Sequence, residues 1–549
     1  MPHCASTFAV VSPRQAAADP LSFDWYALKA EDDIKWTPCF DVQLCARLNL
    51  PLDHAQPSGP TTQIALQMIP ATDKANYQGT IIVNPGGPGG AGTLLMFTDG
   101  AKLAQLFGPT FDILGFDPRG MGATTPLALC FSSGTAANTW NAQIPGILSP
   151  DDGSFQYDRG RAQLLRELCK QQLGGNGLED AGTNATEWGT GRFMGTPYVA
   201  MDMIRIAEKL GQDKVHYYGI SYGTIIGQYL AALHPDKIAR MIIDGVSDGD
   251  HWLNGRSYDL IKDSGKVIDQ FYQNCVDAGP AKCAVWENTP GEVAARMDRV
   301  LDELKAQPVA VPQAVVGPFV LTESVFLGLV FSDLYHPLTG FPDIAELARA
   351  VETQNQTRLS QIVYVSDDVS GLPPWFQPNQ AVYAVECSDF PPLADSVADE
   401  LAALNAANAL VPRLGSFGAS AVSRVRLSCA DWPVSQKGRY AGPLAGALPV
   451  PVLVASARYD PITPLDAARN VTARYPGMQL LVQDSAGHAT FPSMSNCTAA
   501  AMRAYMTKGE LPPEGTVCEQ DSIPLVDLPE PVSVVDARLR FTRHLTHLT

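Results

Sequence analysis

Ser221 lies in the stretch HYYGISYGTII, flanked two residues away on either side by Gly219 and Gly223. A serine hydroxyl is a weak nucleophile at neutral pH. It performs acyl transfer only with a base in hydrogen-bond reach, an orienter for that base and donors for the developing oxyanion. The G-x-S-x-G pattern acquires meaning where a strand turns sharply into a helix and lifts Oγ to the sheet edge. Here KVHYYGI reads as a buried strand and YGTIIGQYLAALHP as a helix ended by Pro235. Taken alone, Ser221 could equally cap a helix beside a glycine turn.

The base should follow a late strand. Of nine histidines, His488 in SAGHAT follows a strand through a turn of small residues. His216 lies inside the nucleophile strand, His234 ends a helix, and His544 and His547 occupy the tail. His3, His54, His251 and His336 have no acid or strand-end context and read as surface or packed side chains. The acid should end the strand before that histidine, which gives Asp460 in VLVASARYDP, 28 residues upstream of His488. Asp244, at the end of the strand after the nucleophile helix, is the competing candidate.

Oxyanion donors are expected from NPGGPGG, Asn84 to Gly90, whose glycines let amides point inward with no Cβ in the way. The Gly86 and Gly87 amides would join that of Tyr222. A phosphate-binding loop is the alternative, but both G-x-x-x-x-G-K-[ST] and G-x-G-x-x-G are missing there. Neither H-E-x-x-H nor C-x-x-C occurs, so no metal and no cofactor is expected.

These residues need a frame. GTIIVNPGGPGGAG and FDILGFDPRG begin as strands; PYVAMDMIRIAEKLG carries Val199, Met203, Ile206 and Leu210 at helical spacing; ARMIIDGV is a further strand. Strand and helix alternate at short intervals, which implies a parallel sheet with crossover helices. The rhythm breaks near Asp250 and gives way to mostly helical sequence with proline-rich interruptions, AQPVAVPQAVVGP and GLPPWFQPN, until about Ala445. PVPVLVASARYDP and GMQLLVQDSAGH then restore it. The expected organisation is an N-terminal lead-in over residues 1–75, the first part of an α/β core over 76–250, a mainly helical lid over 251–445 and the rest of the core over 446–549.

The 549 residues exceed the ~250–300 at which a single core stops growing. A formal charge of −18 repels phosphate backbones and anionic lipid, and no apolar run nears the ~18 residues of a membrane span. Nucleic-acid and membrane partners are therefore not expected. The N-terminus lacks the basic and apolar regions of a secretory signal. Ten of eleven cysteines nonetheless fall in neighbouring pairs: Cys39/Cys45, Cys130/Cys169, Cys275/Cys283, Cys387/Cys429 and Cys497/Cys518, with Cys4 left over. They form either a disulfide set or buried thiols in a reducing compartment. Four glycosylation sequons, at Asn184, Asn355, Asn470 and Asn496, lean towards secretion. A secreted protein is the expectation, a cytoplasmic one the alternative.

VNPGGPGGAG, GFDPRGMGATTPLALC, YYGISYGT, DGV, AVECSD, CADWP, ARYDPITP and SAGHAT together resemble the tripeptidyl-aminopeptidase-like α/β hydrolases, in the serine peptidase clan of the prolyl aminopeptidases. The resemblance runs from about Trp36 to Cys518. It implies an α/β-hydrolase fold, a mostly parallel sheet flanked by helices with a large helical lid. By position, Ser221 resembles the nucleophile, Asp460 the acid and His488 the base, with Gly87 and Tyr222 at the oxyanion positions. The paired cysteines fall where this secreted family has disulfides, and Arg119 in DPRG resembles a structural residue tying the oxyanion loop to the sheet. Lid carboxylates hold the substrate's α-amino group in aminopeptidase relatives. Glu386 and Asp389 in AVECSD are the candidates, a solvated or salt-bridged surface pair being the bland alternative. The expected substrate is a small peptide, cleaved by an exopeptidase releasing short N-terminal peptides. An esterase, lactonase or thioesterase acting on a small-molecule acyl substrate is the second reading, and a non-catalytic binding protein the third.

Overall fold

The computed structural model describes residues 23–177, 182–314, 317–361 and 380–527. Cys4 and the proline-rich GLPPWFQPN lie outside the described residues. Its strands are β1 (Thr37–Cys39), β2 (Gln43–Pro51), β3 (Thr61–Ile69), β4 (Gly79–Asn84), β5 (Phe111–Phe116), β6 (Val215–Ile220), β7 (Ile238–Asp244), β8 (Val309–Val311), β9 (Phe319–Leu321), β10 (Val452–Tyr459), β11 (Met478–Ala486) and β12 (Val517–Glu519). All but β8 and β9 form one sheet in the order β1-β2-β3-β5-β4-β6-β7-β10-β11-β12.

From β5 to β12 every pairing is parallel, while β1, β2 and β3 add an antiparallel edge. Every residue of β4 and β5 is buried, the unbroken apolar run expected of strands covered on both faces. The chain has the α/β-hydrolase fold. Residues 37–69, from the stretch expected only to lead into the core, supply three of its strands. Their burial mixes buried and half-buried positions, which left no clean alternation to read.

Helices such as Ser264–Ala278, Pro290–Ala306, Pro337–Glu352 and Ser416–Cys429 bury their apolar faces in a second core of their own, which reaches Ala486 at the end of β11. This cover also receives the helix Ser154–Leu173, from within the stretch 76–250 that the sequence reading gave to the core. Arg159 Nε meets Glu400 Oε2 at 2.6 Å and Arg166 Nη1 donates to the Leu427 carbonyl at 2.8 Å. Five disulfides join Cys39–Cys45, Cys130–Cys169, Cys275–Cys283, Cys387–Cys429 and Cys497–Cys518. Among the described residues, no helix is long and apolar enough to cross a membrane.

Candidate active site

Ser221 occupies the single residue between β6 and the helix Tyr222–Leu233, with φ 57° and ψ −124°. A serine held there stores of order 1–3 kcal/mol of backbone strain. The flanking glycines make the turn sterically possible. A Cβ on Gly219 would lie 2.4 Å from the Gly223 carbonyl oxygen, and one on Gly86 would lie 2.6 Å from the Ser221 Cβ. The latter position also places Gly86 beside the Tyr222 amide, 3.0 Å from the same built atom.

The oxyanion candidates separate on their hydrogen bonds. The Gly86 N–H already donates to Asn84 Oδ1 at 3.0 Å, so Gly86 serves by its missing side chain rather than as a donor. Among the described residues, the Gly87 amide donates to no protein acceptor outside regular elements. Tyr222 is the first residue of its helix, where the amide has no intrahelical acceptor and the dipole favours negative charge.

Register alone brings the acid and base together. Tyr459 and Ala486 pair as the last residues of β10 and β11; Asp460 follows at once, and His488 follows after Gly487. Both Asp460 oxygens lie 3.1 Å from His488 Nδ1. Asp460 is wholly buried and also accepts from the amides of Ile462, Thr463 and Ala489 and the Thr463 hydroxyl. Burial pushes its carboxyl upward, but the His488 charge and these bonds more than offset that and hold it below the ordinary value. Asp244 accepts from the Thr490 amide and hydroxyl and from the Tyr218 hydroxyl.

From the helical cover, the Tyr335 carbonyl accepts the His488 backbone N–H at 3.0 Å and its ring stands edge-on to the imidazole at 4.9 Å. The sequence offered no signal for this contact, because it joins residues more than a hundred positions apart across two cores.

Glu386 and Asp389 are buried in the helix Ala381–Asp389, not solvated on the surface. Asp389 accepts from the amide and hydroxyl of Thr196 and from Trp252 Nε1 at 3.0 Å. Thr196 Oγ1 in turn meets the Tyr222 hydroxyl at 2.8 Å, which links the acid to the residue after the serine. Burial, opposed by those bonds, pushes the Asp389 carboxyl up to about 6. Burial and the nearby Asp389 push Glu386 up to about 8. Among the described residues the Glu386 carboxylate accepts no hydrogen bond.

Arg119 does not tie the oxyanion loop to the sheet. It is buried against Asp202, at 2.6 and 2.8 Å, and the Pro51 carbonyl. Its neighbour Asp117 makes the expected tie, accepting from the Thr93 amide and hydroxyl, both at 2.8 Å, on the first turn after NPGGPGG. Burial pushes that carboxyl up to about 6 against the pull of these bonds.

Residues 79–273 match the family model described as the alpha/beta hydrolase fold, and residues 415–518 that described as TAP-like protein. The serine protease Hip1 of Mycobacterium tuberculosis is 28% identical over 534 residues, covering 93% of this chain and 94% of its own. Tripeptidyl aminopeptidase of Streptomyces lividans is 26% identical over 524 residues, 94% of this chain and 89% of its own. Carboxylesterase B of Mycobacterium tuberculosis is 27% identical over 483 residues, 86% of each chain.

Proposed function

We propose that this chain, an α/β hydrolase with a tripeptidyl-aminopeptidase-like C-terminal segment, is a serine exopeptidase that releases short peptides from free N-termini. Ser221 Oγ attacks the scissile carbonyl as His488 takes its proton, Nδ1 being engaged by Asp460. The oxyanion rests on the Gly87 and Tyr222 amides. His488 returns the proton to the leaving amine, and water activated by the same imidazole releases the acyl product.

The observation that carries the peptidase reading is the buried acid pair. A carboxylate with no partner of its own, raised to about 8 beside a second acid, is a receptor for a cation such as an α-ammonium. The names of the protease and aminopeptidase relatives agree with it. The carboxylesterase relative favours the second reading, hydrolysis of a small-molecule ester, lactone or thioester by the same serine. Five disulfides among the described residues are what a protein matured outside a reducing cytoplasm carries, so we assign it to the cell envelope or exterior.

A panel of tripeptidyl arylamides, with free or acetylated N-termini, and simple aryl esters separates the two. The exopeptidase turns over free-amine arylamides in preference to acetylated ones. In Glu386→Gln that preference shrinks by about tenfold or more, the worth of one charge-assisted hydrogen bond. Turnover of esters alone would sink the peptidase reading.

A further inference from the structure

The order β6-β7-β10-β11 sets the histidine-bearing strand three positions from the nucleophile strand. At about 4.8 Å per strand this is roughly 14 Å. The loop leaving β11 must therefore run back along the sheet edge for His488 to serve Ser221. Asp244, the last residue of β7, stands under that path. It pairs with Ile220 on one side and Ala455 on the other.

Its side chain is wholly buried. Oδ1 accepts the Thr490 N–H at 2.9 Å, and Oδ2 accepts the Thr490 hydroxyl at 2.7 Å and the Tyr218 hydroxyl at 2.9 Å. The Asp244 carbonyl accepts the Ser221 N–H at 3.0 Å. Backbone packing is equally close, since a Cβ on Gly245 would lie 2.7 Å from the Ala489 Cβ. One residue thus grips the nucleophile turn through its backbone and the histidine loop through its carboxylate. A carboxylate without these donors would be costly to bury, so its three bonds define where the loop can sit.

We propose that Asp244 is a positioning residue that fixes the returning histidine loop over the nucleophile turn, acting on His488 through Thr490. The proposal rests on the Ser221–His488–Asp460 reading above. The groups facing Asp244 are the Tyr218 hydroxyl from β6 and Thr490 and His488 from the loop. Asp460, beyond β10, faces the same imidazole. Burial, countered by the Thr490 and Tyr218 bonds, raises the Asp244 carboxyl, and the His488 charge draws it back down.

The test is the rate at which a fluorophosphonate labels Ser221 between about pH 5 and about pH 9, bracketing the histidine range. Asp244→Ala is expected to slow labelling about tenfold or more, as a displaced base does. Thr490→Val slows it several-fold and Thr490→Ser restores it. Asp244→Asn can accept from the Thr490 amide and donate to both hydroxyls. It therefore loses less rate than Asp244→Ala. Asp244→Ala and Thr490→Val labelling at the unaltered rate would overturn the role. If Asp244→Ala fails to fold, Thr490→Val decides. No labelling of the unaltered protein would overturn the catalytic reading and the positioning role together.

Discussion

The acid pair fixes the sharpest expectation at the level of single residues. Glu386 and Asp389, raised to about 8 and about 6, are neutral below those values and ionised above them. A substrate α-ammonium is charged below ~8. Tight binding needs an ionised acid and a charged amine. Apparent affinity, 1/KM, for a free-amine arylamide should therefore be greatest near pH 8, falling at lower pH as Glu386 and then Asp389 become neutral and at higher pH as the amine loses its charge. The acetylated arylamide should show neither limb. Steady-state kinetics on the two substrates checks this, and identical pH profiles would count against amine recognition by these carboxylates. Nothing in AVECSD announced burial. Polar residues on a short helix look solvated until the tertiary fold covers them, so the candidates were legible in the sequence but their environment was not.

Among the elements, the helix Ala381–Asp389 is held by Cys387–Cys429 to the helix Ser416–Cys429. Closing a loop of 42 residues is worth about 4 kcal/mol in the chain-entropy model. Opening it by Cys387→Ser with Cys429→Ser should loosen the acid-bearing helix. The expected result is a lower melting temperature and a KM for free-amine arylamides raised more than that for aryl esters. A variant with unchanged melting temperature would contradict the role of this bridge. The strands that carry Ser221, Asp460 and His488 were readable because each is a short apolar run closed by turn residues. β1 to β3 were not. Their antiparallel edge position leaves several residues half-buried, and the alternation that would reveal them is blurred.

At the scale of the molecule, parallel strands deliver the ends that carry Ser221, Asp460 and His488 to one edge of the sheet, where Asp460 meets His488. The placement of each residue just past the end of its strand at that edge was legible in the sequence. The reach of the helical cover onto it, through Tyr335 on His488, depends on packing between two separate cores that no local pattern encodes. The account as a whole stands on the reactivity of Ser221. The most direct measurement is mass-spectrometric mapping of the adduct formed by a fluorophosphonate, alongside turnover by Ser221→Ala. A single adduct on the peptide containing residue 221, with loss of at least ~10³-fold in turnover for the alanine variant, is the expected result. Full turnover by Ser221→Ala, or an adduct confined to another residue, would contradict it.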